Sequence, residues 1–125
     1  MLPFIFIALG IGIHLVFDWF LQPREMAKCK STYWRCLLAH AVVIWAGAMV
    51  FYSIVMTPGT LMFVVWATAY ALLHAFQDKV IWSWYKRKQA LSGTDPIEDP
   101  LFYTTLGIDQ ALHLTALFYF ASLLI

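Results

Sequence analysis

Seven residues carry the chemistry that this sequence offers: His14, Asp18, His40, His74, Asp78, Asp109 and His113. Six of them form pairs four residues apart, His14 with Asp18, His74 with Asp78, and Asp109 with His113 in reversed order. Residues at i and i+4 stack on one helix face, so each pair presents an imidazole and a carboxylate together. His40 adds a fourth imidazole from a separate segment. This donor mixture suits Zn²⁺ first, with Mn²⁺ or Fe²⁺ as alternatives, better than Ca²⁺ or Mg²⁺. Seven candidate ligands exceed what one tetrahedral ion needs. They fit two ions sharing carboxylates, or one ion whose remaining aspartates orient the imidazoles. The same groups also fit a metal-free polar network or a proton relay.

The elements that must hold these residues follow from composition. The chain has 125 residues, 62% hydrophobic and 12% charged, with a mean hydropathy of +0.75. A soluble domain is about half apolar and a quarter charged. One this small cannot hide so much apolar surface, so a soluble globular domain and a disordered chain are both excluded. Four apolar runs, about 2–22, 33–55, 60–84 and 101–125, each have the length of a membrane helix. The expectation is a single all-α membrane domain, 1–125, built as a bundle of four transmembrane helices. The first run has no Lys or Arg ahead of it and no small-residue cleavage site, so it reads as a membrane helix rather than a signal peptide. The connections are Gln22 to Thr32, a tight turn at Met56-Thr57-Pro58-Gly59, and Tyr85 to Pro100.

All eight basic residues flank two of those connections: Arg24, Lys28, Lys30 and Arg35 the first, Lys79, Lys86, Arg87 and Lys88 the third. The positive-inside rule places both connections in the cytoplasm and both termini on the extracytoplasmic side. Trp19, Tyr33, Trp34, Trp82, Trp84 and Tyr85 near these connections read as an aromatic belt at the inner interface. At a rise of about 1.5 Å per residue, the seven ionisable residues lie roughly 6 to 18 Å from the cytoplasmic ends of their helices. The chain reverses direction at every helix, yet they share one layer. Intramembrane Asp costs on the order of 3 kcal/mol on insertion scales, so these groups should face each other, water or an ion.

Beside the layer, Gln22, Lys28, Lys79 and Gln110 are candidates for orienting a substrate, and Gln77 neighbours a candidate ligand. Arg24, Lys28 and Lys30 at the inner surface suit an anionic head group, or serve only as topology signal and head-group anchors. Met26 and Ala27 form a short apolar patch between charges. Asp95, Glu98 and Asp99 read as a solvated loop, with Asp99 capping a helix that begins at Pro100. Cys29 and Cys36, seven apart, match no common zinc spacing. They are expected to be unpaired thiols in a reducing cytoplasm. H-E-x-x-H, a G-x-S-x-G elbow and the Glu-x-x-His pattern of di-iron bundles are all absent from the sequence.

The run His14-x-x-x-Asp18-Trp19-x-x-Gln22, then Met26-Ala27-Lys28 with Lys30, His40, His74-x-x-x-Asp78-Lys79 and Asp109-Gln110-x-x-His113 resembles domain-of-unknown-function family 3307 over essentially the whole chain. The resemblance implies a small bacterial or phage inner-membrane protein with a polar His/Asp constellation, and no established activity. A looser likeness, in architecture and residue type only, is to bacterial membrane-bound metal-dependent hydrolases.

The leading expectation is a metal-dependent hydrolase of the bacterial inner membrane, acting near the cytoplasmic leaflet on a lipid head group or lipid-linked phosphate or ester. His14, His40, His74 and His113 would supply nitrogen ligands, joined by one or two of Asp18, Asp78 and Asp109, with a remaining Asp as general base. One alternative is a proton or metal-ion transport or relay protein, which four short helices would support only as a homo-oligomer. Another is a small non-catalytic membrane interaction protein, of cellular or phage origin, whose network only holds helices together. Membrane lipids are the expected partners, and a net charge of +1 gives no case for nucleic acid.

Overall fold

A computed structural model describes residues 2–56 and 61–124. Helix α1 runs over Phe4–Leu15 and continues as one π-helical stretch, Val16–Phe20. Helix α2 is short, Arg24–Cys29, and α3 spans Trp34–Val55. Helix α4 spans Met62–Ser92 and α5 spans Pro100–Ser122, with a 3₁₀ turn at Pro96–Glu98 between them. The described residues contain no strand, so the protein is all-α.

Local chemistry sets the helix ends. Pro3 and Pro23 precede the first turns of α1 and α2, where a fixed φ starts a helix. Asp99 caps α5 as expected, its Oδ1 accepting the Leu101 N–H at 2.9 Å, and Pro100 occupies the first helical position. Helix α4 ends at Gly93, whose φ of +69° is the left-handed stop that glycine adopts cheaply. The third apolar run was expected to end near residue 84. The helix instead continues to Ser92, because Lys86-Arg87-Lys88-Gln89-Ala90-Leu91 are strong helix formers with no breaker before Gly93. Of the expected Met56–Gly59 turn, Thr57, Pro58 and Gly59 lie outside the described residues.

The cysteine expectation is corrected. Cys29 and Cys36 form a disulfide. The chain reverses between α2 and α3 at Lys30–Tyr33, which brings the two Cα atoms to 5.7 Å, within disulfide reach. Spacing alone could not reveal that reversal, since it depends on α2 folding back along the start of α3.

Helix α3 packs most extensively on α4, which packs in turn on α5, while α1 lies against α3 and α5. One end of the bundle is an apolar core around Ile44, Phe51, Tyr52, Tyr70, Leu117 and Ala121. At the other end α1, the π-helical stretch, α3, α4 and α5 contribute polar groups: His14, Asp18, His40, His74, Asp78, Asp109 and His113 are all buried. The outer faces are apolar, with Phe4 and Phe20 each 83% exposed and Phe76 66% exposed. Among the described residues one helix, Trp34–Val55, is long and apolar enough by itself to cross a membrane. Phe4–Phe20 is apolar but shorter.

The close approach of α3 to the π-helical stretch needs a missing side chain. A Cβ on Gly47 would meet Phe17 Cγ at 2.7 Å, the rigid root of an aromatic side chain. Nothing lies within 4 Å of a Cβ on Gly107. Gly47→Ala is therefore expected to cost about 1–3 kcal/mol through overpacking. Gly107→Ala should be neutral or stabilising by up to about 1 kcal/mol from helix propensity. Thermal unfolding of the two variants in detergent checks the contrast.

Candidate metal centre

The seven buried polar groups reach the centre from five elements. His14 ends α1 and Asp18 sits in the π-helical stretch, a widened turn of the kind often found at functional sites. His40 comes from the second turn of α3, His74 and Asp78 from the middle of α4, and Asp109 and His113 from the middle of α5. His40 Nε2 lies 3.0 Å from Asp18 Oδ1 and 3.1 Å from Asp78 Oδ2. His74 Nδ1 is 3.3 Å from Asp78 Oδ2, and His113 Nε2 is 3.4 Å from Asp109 Oδ1. The His74 and His113 rings stack with centroids 3.5 Å apart, so their edges, not their faces, meet the carboxylates.

These distances are short, yet ten of the atoms involved make no hydrogen bond: Asp18 Oδ1, Asp109 Oδ1, both Asp78 oxygens, and both ring nitrogens of His40, His74 and His113, although Asp78 Oδ1 has the Lys30 ammonium 3.0 Å away as an ion-pair partner. The approach angles fall outside hydrogen-bond geometry. Buried polar atoms are normally paired, and leaving one unpaired costs about 1–3 kcal/mol. Atoms that converge on a common point behave this way. With metal–ligand bonds of about 2.0–2.2 Å in a tetrahedron, neighbouring ligand atoms stand about 3.3–3.6 Å apart without bonding one another. Three overlapping sets offer ligand atoms within 4.8 Å of one another: His14, Asp18, His74 and His113; Asp18, His40, His74 and Asp78; and Asp78, Asp109 and His113. The buried His/Asp groups can thus hold a metal ion, and the donor set fits one.

His14 stands apart from the other histidines. Its Nε2 donates to Gln110 Oε1 at 2.9 Å, and its Nδ1 lies 3.3 Å from the Tyr70 hydroxyl. Both ring nitrogens have protein partners, so in this arrangement His14 orients its neighbours. Gln110 makes every hydrogen bond its amide allows. Its Nε2 donates to Asp18 Oδ2 at 3.0 Å and Asp109 Oδ2 at 3.2 Å, and its Oε1 also accepts from Trp19 Nε1 at 3.2 Å. One oxygen of each aspartate is held, and the other, Oδ1, is left for the centre. Gln110 was expected to touch substrate, and the structure gives it four protein partners beside the cavity described next.

A cavity of about 520 Å³ leads from one end of the bundle to this cluster. Asp18, Asp109, Gln110 and Lys30 lie at its inner end, and Trp19, Trp82, Phe102 and Leu106 line its walls. Of the residues expected to orient a substrate, Gln22 and Lys28 line it as well. Lys79 does not: its Nζ donates to the Ser31 carbonyl. Lys86 at the rim donates to the Lys28 carbonyl at 2.6 Å, and burial together with nearby Lys79 holds its ammonium below the ordinary lysine range.

Two residues join the centre that the sequence does not place in the buried layer, Lys30 being read there only as a head-group candidate at the inner surface. Lys30 is 6% exposed, and its Nζ pairs with Asp78 Oδ1 at 3.0 Å. It sits in a turn, where no periodicity marks it as inward. Tyr70 stands four residues before His74, so the stripe Tyr70-His74-Asp78 carried a legible signal that the search for metal ligands passed over.

The chain belongs to a family described as protein of unknown function (DUF3307), whose profile matches residues 5–125. No curated protein and no solved structure matches the chain. The looser likeness to membrane-bound metal-dependent hydrolases therefore has nothing beyond architecture behind it.

If Gln110 aims the two carboxylates, Gln110→Leu should weaken divalent-metal binding by about 10–100-fold, as loss of an orienting partner does. His74→Ala should abolish stoichiometric binding. Metal titration of the purified variants checks this order.

Proposed function

We propose that the protein is a divalent-metal-dependent hydrolase embedded in the bacterial inner membrane. On this reading it cleaves an ester or phosphoryl bond of a lipid head group or lipid-linked substrate at the cytoplasmic leaflet. The observation that carries the proposal is the cavity that ends on the cluster, with Asp18 and Asp109 at its floor. Its volume lies in the range of small-molecule sites, roughly 300–1,000 Å³. A sealed structural network would need no such opening, and it would satisfy its own hydrogen bonds.

The inside-out distribution supports a four-span topology: polar groups inside, large apolar side chains outside. Helix α4, at 31 residues, is about 46 Å long and exceeds the roughly 30 Å hydrocarbon core. Its last turns, with Lys86, Arg87 and Lys88, then stand at the head groups. The Cys29–Cys36 disulfide at this end favours an oxidising compartment. All eight basic residues cluster there as well, and we follow their bias because it sets orientation at insertion.

Asp18, His40, His74 and Asp78, whose ligand atoms lie within 4.8 Å of one another, are the ligands we assign, and Zn²⁺ suits that set best. A bound divalent ion supplies Lewis acidity toward a carbonyl or phosphoryl oxygen and makes water more acidic. Asp109 is placed to act as general base. Its Oδ2 is held by Gln110, and its Oδ1 takes the proton of the attacking water at the cavity floor. Charge balance favours one ion over two. Three carboxylates against the Lys30 ammonium leave two negative charges when the imidazoles are neutral.

Conduction through the chain fits less well. Beyond the cluster, Phe51, Tyr52, Tyr70 and Leu117 are each at most 2% exposed and close the far end. Elemental analysis of the detergent-purified protein is expected to find about one Zn²⁺ per chain, and its absence would overturn the proposal. Release of phosphate or fatty acid from labelled lipid should be lost in Asp78→Asn, while activity that survives removes Asp78 from the site.

A further inference from the structure

The two sides of the cavity are fastened unequally. Helix α2 is stapled to α3 by Cys29–Cys36. Its C-terminal turn is tied to α4 three times: Lys86 Nζ donates to Lys28 O, and Lys79 Nζ and Ser83 Oγ both donate to Ser31 O. Among the described residues no hydrogen bond or ion pair joins α2 to α5. The cavity lies between them, with Ala27 on the α2 side and Phe102 and Leu106 on the α5 side. No polar link closes this cleft, and Ala27, Phe102 and Leu106 give it apolar surface on both sides.

The charges along the cavity are ordered as well. Its only lining acids, Asp18 and Asp109, are at the floor with the cluster. Lys28 and Lys86 stand at the mouth, and Lys30 reaches from the wall to Asp78. A ligand in this space meets ammonium groups on the way in and apolar surface along one side. That is the chemistry of an anionic head group attached to hydrocarbon. Lysine ammonium groups suit phosphate, and basic residues at a membrane surface attract anionic lipid.

We infer that the α2–α5 cleft admits a phosphate-bearing membrane lipid sideways from the bilayer, with its phosphate drawn to Lys30 and its acyl chains against Ala27, Phe102 and Leu106. The fate of that lipid at the centre rests on the hydrolase reading. Its seating in the cleft rests on Lys30 and the apolar walls.

The test uses the full chain in maltoside micelles with phosphatidylglycerol that carries a diazirine on its acyl chain. Photolabel is expected on the peptides that hold Ala27 and Leu106. Leu106→Trp, which fills the cleft, should cut that label about tenfold, equivalent to about 1.4 kcal/mol of binding, with metal content unchanged. Ala27→Phe gives a second plug from the opposite wall if the first variant does not fold. Excess inorganic phosphate should not compete. Label spread evenly over outer positions such as Val42, Val65 and Phe76, unaffected by either plug, overturns the inference. Full competition by inorganic phosphate overturns it too, since the site would then be one for a free anion. Elemental analysis of the same samples separates the two proposals. Label without metal retains the lipid cleft and removes the hydrolase, and metal without label does the reverse.

Discussion

Ten buried nitrogen and oxygen atoms crowd together in this bundle without bonding one another, and the rest of the fold is arranged around that fact. A charge in an apolar interior is tolerated only when it is paired. Here the pairing is collective: three carboxylates, one ammonium and a ring of imidazoles face a shared centre. The supporting groups serve to keep it shared. Gln110 draws one oxygen from each of two aspartates, Tyr70 and Gln110 pin His14 between them, and the stacked rings of His74 and His113 turn their edges inward. Each removes a freedom that would otherwise let the atoms collapse into ordinary hydrogen bonds.

The apolar end of the molecule makes that layer affordable. Tyr52 packs edge to face with Tyr70 and at a tilt against Phe51, and the Tyr52 hydroxyl donates to the Leu117 carbonyl at 3.0 Å. Close helix approach at Gly10 and Gly47 brings α1 and the π-helical stretch against the other helices. Small residues at these contacts are what lets the helices pack closely. The polar layer is therefore positioned by shape at one end and by its own converging His and Asp side chains at the other.

Much of this was legible in the sequence. The i, i+4 spacing of the three His/Asp pairs, with the alternating chain direction, placed all seven groups in one layer, and they are buried together. Asp99 before Pro100 announced the start of α5 correctly. What stayed hidden has a common cause: it depends on turns. Lys30 enters the cluster, and Cys29 meets Cys36, only because the chain doubles back between α2 and α3. No periodic pattern encodes such a reversal. The end of α4 was misjudged for a different reason, because hydropathy falls after Trp84 while helix propensity does not.

The resident ammonium of Lys30 bears on how such a molecule comes to be assembled. A cluster of carboxylates with no cation inside it would repel itself and resist closure of the helices. Lys30 is covalently part of the chain, so its ammonium belongs to the cluster from the outset. It offsets one of the three carboxylate charges, and closing the helices over the layer then buries a net charge of minus two rather than minus three when the imidazoles are neutral.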